Sequence, residues 1–150
     1  MFERDVENRI GHHIALLSHR IQNRYNQKLA EFDLTAAQAR VLYLLSHYGS
    51  QTQVNLQKRL YIKGSTMNGI IESLLKKKCI QKVNSIEDKR AKVIHLTQAG
   101  KQVEESLWKE TDVFEHELMS RFTKEETALL LSWLRKIEDN LECEGRSAQS

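Results

Sequence analysis

Proline is absent from the 150-residue chain, and glycine occurs only six times. Proline removes a backbone donor and breaks helix interiors, and glycine weakens them, so long helices can run here without interruption. The two cysteines, Cys79 and Cys143, are too few for a disulfide framework and too far apart for a metal knuckle, which fits a reducing compartment. No apolar run approaches the ~18 residues that a membrane-spanning helix needs. Met1-Phe2-Glu3-Arg4-Asp5 has neither the basic start nor the apolar stretch of a secretion signal. A cytoplasmic protein with no membrane contact is the expectation. A composition of 40% hydrophobic and 29% charged residues is that of a soluble globular chain. Its length fits one domain.

Catalytic signatures are missing too. The chain has no GxSxG elbow, no phosphate-cradling glycine loop and no HExxH, and its carboxylate pairs read as solvated acidic helix faces. An enzyme is not expected, and no residue is assigned a catalytic role. His12, His13, His19, His47, His95 and His116 form no His-x₃-His or mixed Cys/His cluster, so neither a metal site nor a cofactor is expected.

The net charge of +3 is small but unevenly spread. Residues 1–50 carry a net +1, residues 51–96 a net +7 and residues 97–150 a net −5. A basic block between neutral and acidic flanks fits contact with a polyanion. It also fits a solvated lysine-rich face, and charge alone does not separate the two.

Periodicity sets out the elements. Val6, Ile10, Ile14, Leu17, Ile21, Tyr25, Leu29 and Phe32 recur every three or four residues, which predicts a first helix of ~40 Å. That exceeds the ~30 Å width of a small domain, so part of its apolar stripe needs a partner elsewhere. Thr35 and Gln38 form a capping box before a second helix that ends near Gly49. A short third helix spans Thr52 to Leu60, and a tight turn at Lys63-Gly64-Ser65 leads into a fourth bearing Met67, Ile70, Ile71, Leu74 and Leu75. Two helices joined by a short glycine-bearing turn have the spacing of a helix-turn-helix. Ile80–Ser85 and Lys92–Leu96 are β-branched runs around a polar tip and predict a two-stranded hairpin. Helical period returns at Val103, Leu107, Phe114, Leu118 and Phe122. A second capping box, Thr123 with Glu126, precedes Leu129, Leu130, Trp133, Leu134, Ile137 and Leu141. The fold class is therefore mainly α with a small β-hairpin. It is a winged helix-turn-helix over 34–100, flanked by helices at 1–33 and 101–143, with a frayed tail over 144–150.

The fourth helix opens with Ser65, Thr66 and Asn68, short hydrogen-bonding side chains suited to a recognition helix whose N-terminus enters the major groove. Ordinary N-capping also accounts for Ser65 or Thr66, but not for Asn68. Lys63, just before this helix, is a DNA-binding candidate with them. Lys76, Lys77 and Lys78 lie at its other end, where cations favour the helix dipole. Lys89, Arg90 and Lys92 have no such explanation on a projecting tip, and an arginine there suits an electronegative minor groove. Asp88 is expected to hold the Arg90 guanidinium in place.

The stretches Gly64-Ser65-Thr66-Met67-Asn68-Gly69-Ile70-Ile71-Glu72-Ser73-Leu74 and Asp88-Lys89-Arg90-Ala91-Lys92-Val93-Ile94-His95-Leu96-Thr97-Gln98-Ala99-Gly100 resemble the MarR family of bacterial winged-helix transcriptional regulators. The second carries the family's Asp-x-Arg, apolar strand, Leu-Thr and glycine. The order of helices extends the resemblance over residues 5–142. It implies a homodimer with interlocked terminal helices, two winged domains on a palindromic operator in double-stranded DNA, and repression relieved by a small ligand or an oxidant. It further implies that Asp88 and Arg90 form the wing pair and that Ser65, Thr66 and Asn68 lie in the major groove. Two positions depart from the family: Gln57 stands where a small alanine is common, and Lys78 where glycine is common.

The reactive cysteine of oxidation-sensing relatives lies in the first helix, and this chain has none there. Cys79 follows three lysines but reads as a small packing residue. A small aromatic or drug-like effector needs an apolar cleft, which the family places between the dimer helices and the winged domain. His12, His13, Leu16, Arg20 and Tyr43 are the candidates to line it. The alternative is a DNA-binding protein without such an effector, constitutive or controlled by a partner protein.

Overall fold

The fold is that of a computed structural model, in which residues 5–147 are described. The chain forms two compact units, Met1–Lys109 and Glu110–Ser150. In order the elements are α1 (Ile10–Glu31), α2 (Ala36–Tyr48), β1 (Gln51–Thr52), α3 (Gln53–Leu60), α4 (Gly64–Lys76), β2 (Ile80–Asn84), β3 (Lys92–Leu96), α5 (Gln98–Leu118) and α6 (Lys124–Ser147).

Several boundaries differ from the sequence expectation. The first helix starts at Ile10 rather than Val6, because the Arg9 N–H closes a turn onto the Val6 carbonyl and Asn8 donates to the Asp5 carboxylate. Its 22 residues span ~33 Å, still longer than a small domain is wide. At the other end α6 is helical to Ser147, past the expected start of the tail at Glu144; residues 1–4 and 148–150 lie outside the described residues. The hairpin is part of a three-stranded antiparallel sheet of order β1-β3-β2. Strand β1 pairs Gln51 with Ile94 and Thr52 with Val93, and two residues are too few to show an alternation in sequence. Strands β2 and β3 pair from Ile80 with Leu96 to Asn84 with Lys92.

The turn of the helix-turn-helix is Tyr61-Ile62-Lys63, and Gly64 is already the first residue of α4. Tyr61 takes the left-handed conformation (φ 54°), and the Ile62 N–H closes onto the Gln57 carbonyl. A Cβ on residue 64 would lie 3.3 Å from the Gln57 amide nitrogen. The larger side chain at 57 is therefore accommodated by the smallest possible residue opposite it.

One core unites the first unit. Leu29, Val41, Leu42, Leu56, Met67, Ile71, Leu74 and Ile94 are essentially sealed from solvent, each contributing about 1.5–3 kcal/mol of apolar burial. Both capping boxes form. Thr35 Oγ1 accepts the Gln38 N–H while Gln38 Oε1 accepts the Thr35 N–H, and Thr123 and Glu126 do the same for α6. Gln38 also donates through Nε2 to Ser73 Oγ at 2.9 Å, tying α2 to α4.

Helix α4 ends in a Schellman motif. The Cys79 N–H bonds the Leu74 carbonyl, the Lys78 N–H bonds the Leu75 carbonyl, and Lys78 is left-handed at φ 58°. Thr97 locks this corner to α5: its hydroxyl donates to the Lys78 carbonyl at 2.6 Å and accepts the Gly100 N–H at 3.0 Å. A Cβ on Gly100 would meet the Cys79 carbonyl oxygen at 2.0 Å, so the backbones touch there.

Gly100→Ala should cost about 3 kcal/mol in urea unfolding at fixed protein concentration, since backbone must shift to admit the methyl group. Lys78→Gly should instead stabilise by about 1 kcal/mol, because it relieves a left-handed side-chain residue. No gain from Lys78→Gly would contradict the strain at this cap.

Candidate nucleic-acid interface

Helix α4 has two faces of opposite character. Met67, Ile70, Ile71 and Leu74 are buried, while Ser65, Thr66, Asn68, Gly69, Glu72 and Lys76 are exposed on the other side. Lys63 is the N-cap residue and supplies no side-chain acceptor, so no side chain caps the first turn. Ser65 and Thr66 are thus not the cap that local chemistry allows them to be. An uncapped helix start flanked by hydroxyls and a lysine offers N–H groups and positive charge to an anion.

Asn68 is held from behind. Gln53, the first residue of α3, donates from Nε2 to Asn68 Oδ1. Gln53 carries no sequence signal of its own, because the contact crosses the turn and appears only once α3 and α4 are packed.

The wing is built on short-range hydrogen bonds. The Ser85 N–H reaches the Ala91 carbonyl at 2.9 Å, and the Ala91 N–H reaches the Asp88 carbonyl at 3.0 Å. Asp88 Oδ1 accepts the backbone N–H of Arg90 at 2.9 Å, where the sequence expectation paired it with the guanidinium. The reason is reach: a short carboxylate readily closes onto the N–H two residues ahead, as in an Asx-turn. Through this bond Asp88 shapes the loop that carries Arg90. Arg90, Ala91 and Lys92 line a cleft of about 220 Å³ with Thr52, Gln53, Val54 and Gln57 at the start of α3. Lys63, Lys89, Arg90 and Lys92 are all exposed, and Lys92 Nζ donates to Asn84 Oδ1 across the hairpin.

The lysine run at the other end of α4 divides. Lys77 lies 3.5 Å from the Asp33 carboxylate and also donates to the Asp33 carbonyl and Gln38 Oε1, so it serves as a clamp. Lys78 is the left-handed cap, and Lys76 remains in solvent.

Residues 34–92, which hold the helix-turn-helix and most of the wing, match the MarR family. The HTH-type transcriptional regulator YwaE of Bacillus subtilis is 31% identical over 113 residues, covering 75% of this chain and 66% of its own length. The solved structure of a point mutant of MepR from S. aureus superposes with a TM-score of 0.80 at 30% identity, over 89% of this chain and 98% of that one. A MepR–DNA complex superposes with a TM-score of 0.70 at 29% identity, over 90% and 98% of the two chains. The chain belongs to the MarR family. Members are winged-helix DNA-binding transcription regulators rather than enzymes.

For a MarR-family chain the candidate effector residues are dispersed. His12, His13, Leu16 and Arg20 lie exposed on the first half of α1, with the His12 and His13 rings edge to face at 6.0 Å and His13 bonded to the Glu7 carbonyl. Tyr43 is on α2, stacked on His47 at 5.5 Å and on Trp108 at 6.0 Å. None of the described contacts joins Tyr43 to the four residues of α1. His47 meets Tyr48 edge to face, and the Arg59 guanidinium lies 4.1 Å above the Tyr48 ring, which extends the aromatic array. Among the described residues no group of His, Cys, Asp and Glu is arranged to hold a metal, and no helix is long and apolar enough to cross a membrane.

Cys79 is buried where α4 turns into β2, and burial pushes its thiol pKa up while Lys77 pulls it down by less. A thiol held protonated is a packing group, not a nucleophile. A maleimide at pH 7.5 should label exposed Cys143 rapidly and Cys79 only after unfolding; fast double labelling of the native protein would contradict the buried corner.

Proposed function

We propose that this MarR-family protein is a homodimeric, sequence-specific regulator acting in the cytoplasm, which represses from a palindromic operator in double-stranded DNA and is released by a small molecule. The observation that carries the reading is the uncapped, hydroxyl-lined start of α4, facing away from the core beside a projecting basic wing. On this reading Ser65, Thr66 and Asn68 face base edges, Lys63 takes a phosphate, and Arg90 enters the minor groove beside Lys89 and Lys92. Asp88 takes part by fixing the loop. The recovery of MepR with bound DNA supports this use of the fold.

Dimerisation is supported by apolar surface. Ile10, Ile14, Leu17 and Ile21 form a stripe on α1 that stays exposed within the chain, and so do Trp133, Leu134 and Leu141 on α6. A two-fold axis that covers such stripes also sets two recognition helices ~10 bp apart on the DNA. An effector in a cleft lined by His12, His13, Leu16, Arg20 and Tyr43 then acts by changing that separation.

A genomic-fragment pull-down at ~150 mM salt followed by footprinting tests the proposal. A protected pseudo-palindrome is expected; salt-sensitive enrichment without sequence preference would overturn it. Arg90→Ala should weaken operator binding by about 1–3 kcal/mol, and Lys76→Ala far less, with a shallower salt dependence. Equal losses would tell against a wing contact. If an effector is found, Arg20→Ala should weaken release and leave operator affinity unchanged, and unaltered release removes Arg20 from the cleft.

A further inference from the structure

We infer that Gly69 is a DNA-contact position, where the backbone of α4 comes against the base edges and the missing side chain sets how deeply the helix sits in the major groove. The inference rests on the proposed DNA-binding role of α4. Glycine in a helix interior is less stable than alanine, so its presence there calls for a reason. Gly69 is the sixth residue of the 13-residue α4 and is exposed. Within the chain the usual reasons are absent. Gly49 has a positive φ of 79°, whereas Gly69 lies outside the left-handed region. A Cβ on Gly64 would meet the Gln57 amide and one on Gly100 the Cys79 carbonyl, but a Cβ on residue 69 would meet nothing within 4 Å. Gly11 is equally open, yet it is the second residue of α1, in a first turn whose N–H groups have no helical partner to lose. For Gly69 the remaining reason is close approach of the backbone to a body outside the chain.

The position of Gly69 on the helix says where that body lies. At 3.6 residues per turn Ser65, Gly69, Glu72 and Lys76 fall in one line, directly opposite the buried Met67, Ile70, Ile71 and Leu74. Gly69 is therefore a notch in the outermost ridge, between Ser65 and Glu72. A helix with its side chains is ~10–12 Å across and the major groove ~12 Å wide, so the side chains on the ridge that faces the floor decide the depth of entry. Met67, Ile71 and Leu74 are sealed into the core, and α4 has no room to retreat from a group added on the other side. With the notch against the floor, the short side chains of Ser65 and Asn68 come within reach of the bases. A side chain at 69 holds them off.

The test measures stability and DNA affinity on the same variants of the full-length protein, using an operator selected from randomised double-stranded DNA with wild type. Gly69→Ala should raise the midpoint of thermal unfolding by about 2–4 °C, because alanine is the better helix former and its methyl group meets nothing in the free protein. The same substitution should weaken operator binding about tenfold, the cost of forcing a methyl group into a packed contact. Gly69→Leu should weaken it further, while binding to non-specific DNA, which rests on phosphate charge, stays unchanged in both variants. Raised stability with lost operator affinity supports the inference, since a glycine required by the fold would lower stability on substitution. Operator affinity that is unchanged or higher in Gly69→Ala overturns it, as does a lowered unfolding midpoint. If wild type selects no sequence at all, the proposed function falls and this inference with it; a selected palindrome bound equally by wild type and Gly69→Ala removes the inference alone.

Discussion

The burial of one face of α4 is the constraint on which the remaining structure depends. Met67, Ile71 and Leu74 are sealed into the core, with Leu42, Leu56 and Ile94 from three other elements packed into the same cluster. Rotating or sliding the helix would expose several large side chains at about 1.5–3 kcal/mol each. The opposite face is thereby held in solvent with a defined set of side chains. Hydrogen bonds and an ion pair fasten its C-terminal end: Gln38 and Lys77 tie it to α2 and to the residues just after α1, and Thr97 closes the corner after it. A helix seated in this way can present a surface to a partner without paying to order it at the moment of contact.

The helix ends show how a chain without proline and with few glycines makes sharp corners. Asp33, Tyr61 and Lys78 all adopt left-handed backbone, and the first and last of them close Schellman motifs. Such residues cost about 1–2 kcal/mol relative to glycine, and here the surrounding packing holds them in place. Where two backbones meet without room for a side chain, glycine is kept, as at Gly100 against the Cys79 carbonyl.

Much of this was legible in the residues. The capping boxes at Thr35 and Thr123 are local hydrogen-bond patterns and carry their own signature, and the long amphipathic periods place α1, α4 and the terminal helices. The hairpin follows from its β-branched runs. What could not be read were contacts between segments distant in sequence: the two-residue strand β1, the Gln38–Ser73 bridge and the Gln53–Asn68 pair. The helix start at Ile10 was missed because apolar spacing continues through Val6 while the backbone turns. The Asp88 contact to the Arg90 backbone N–H is likewise a matter of loop geometry that residue types do not single out. The recognition-helix and wing residues were nameable from their types, whereas the effector candidates came from the family resemblance, and their placement depends on assembly beyond one chain.

The central claim is that the exposed face of α4 lies in the major groove of a two-fold DNA site. Methylation interference tests it most directly, because dimethyl sulfate marks guanine N7 in the major groove and adenine N3 in the minor groove of the same fragment. Interference by guanine N7 methylation in two half-sites ~10 bp apart is the result predicted. Interference confined to adenine N3, or none at either base, would contradict it.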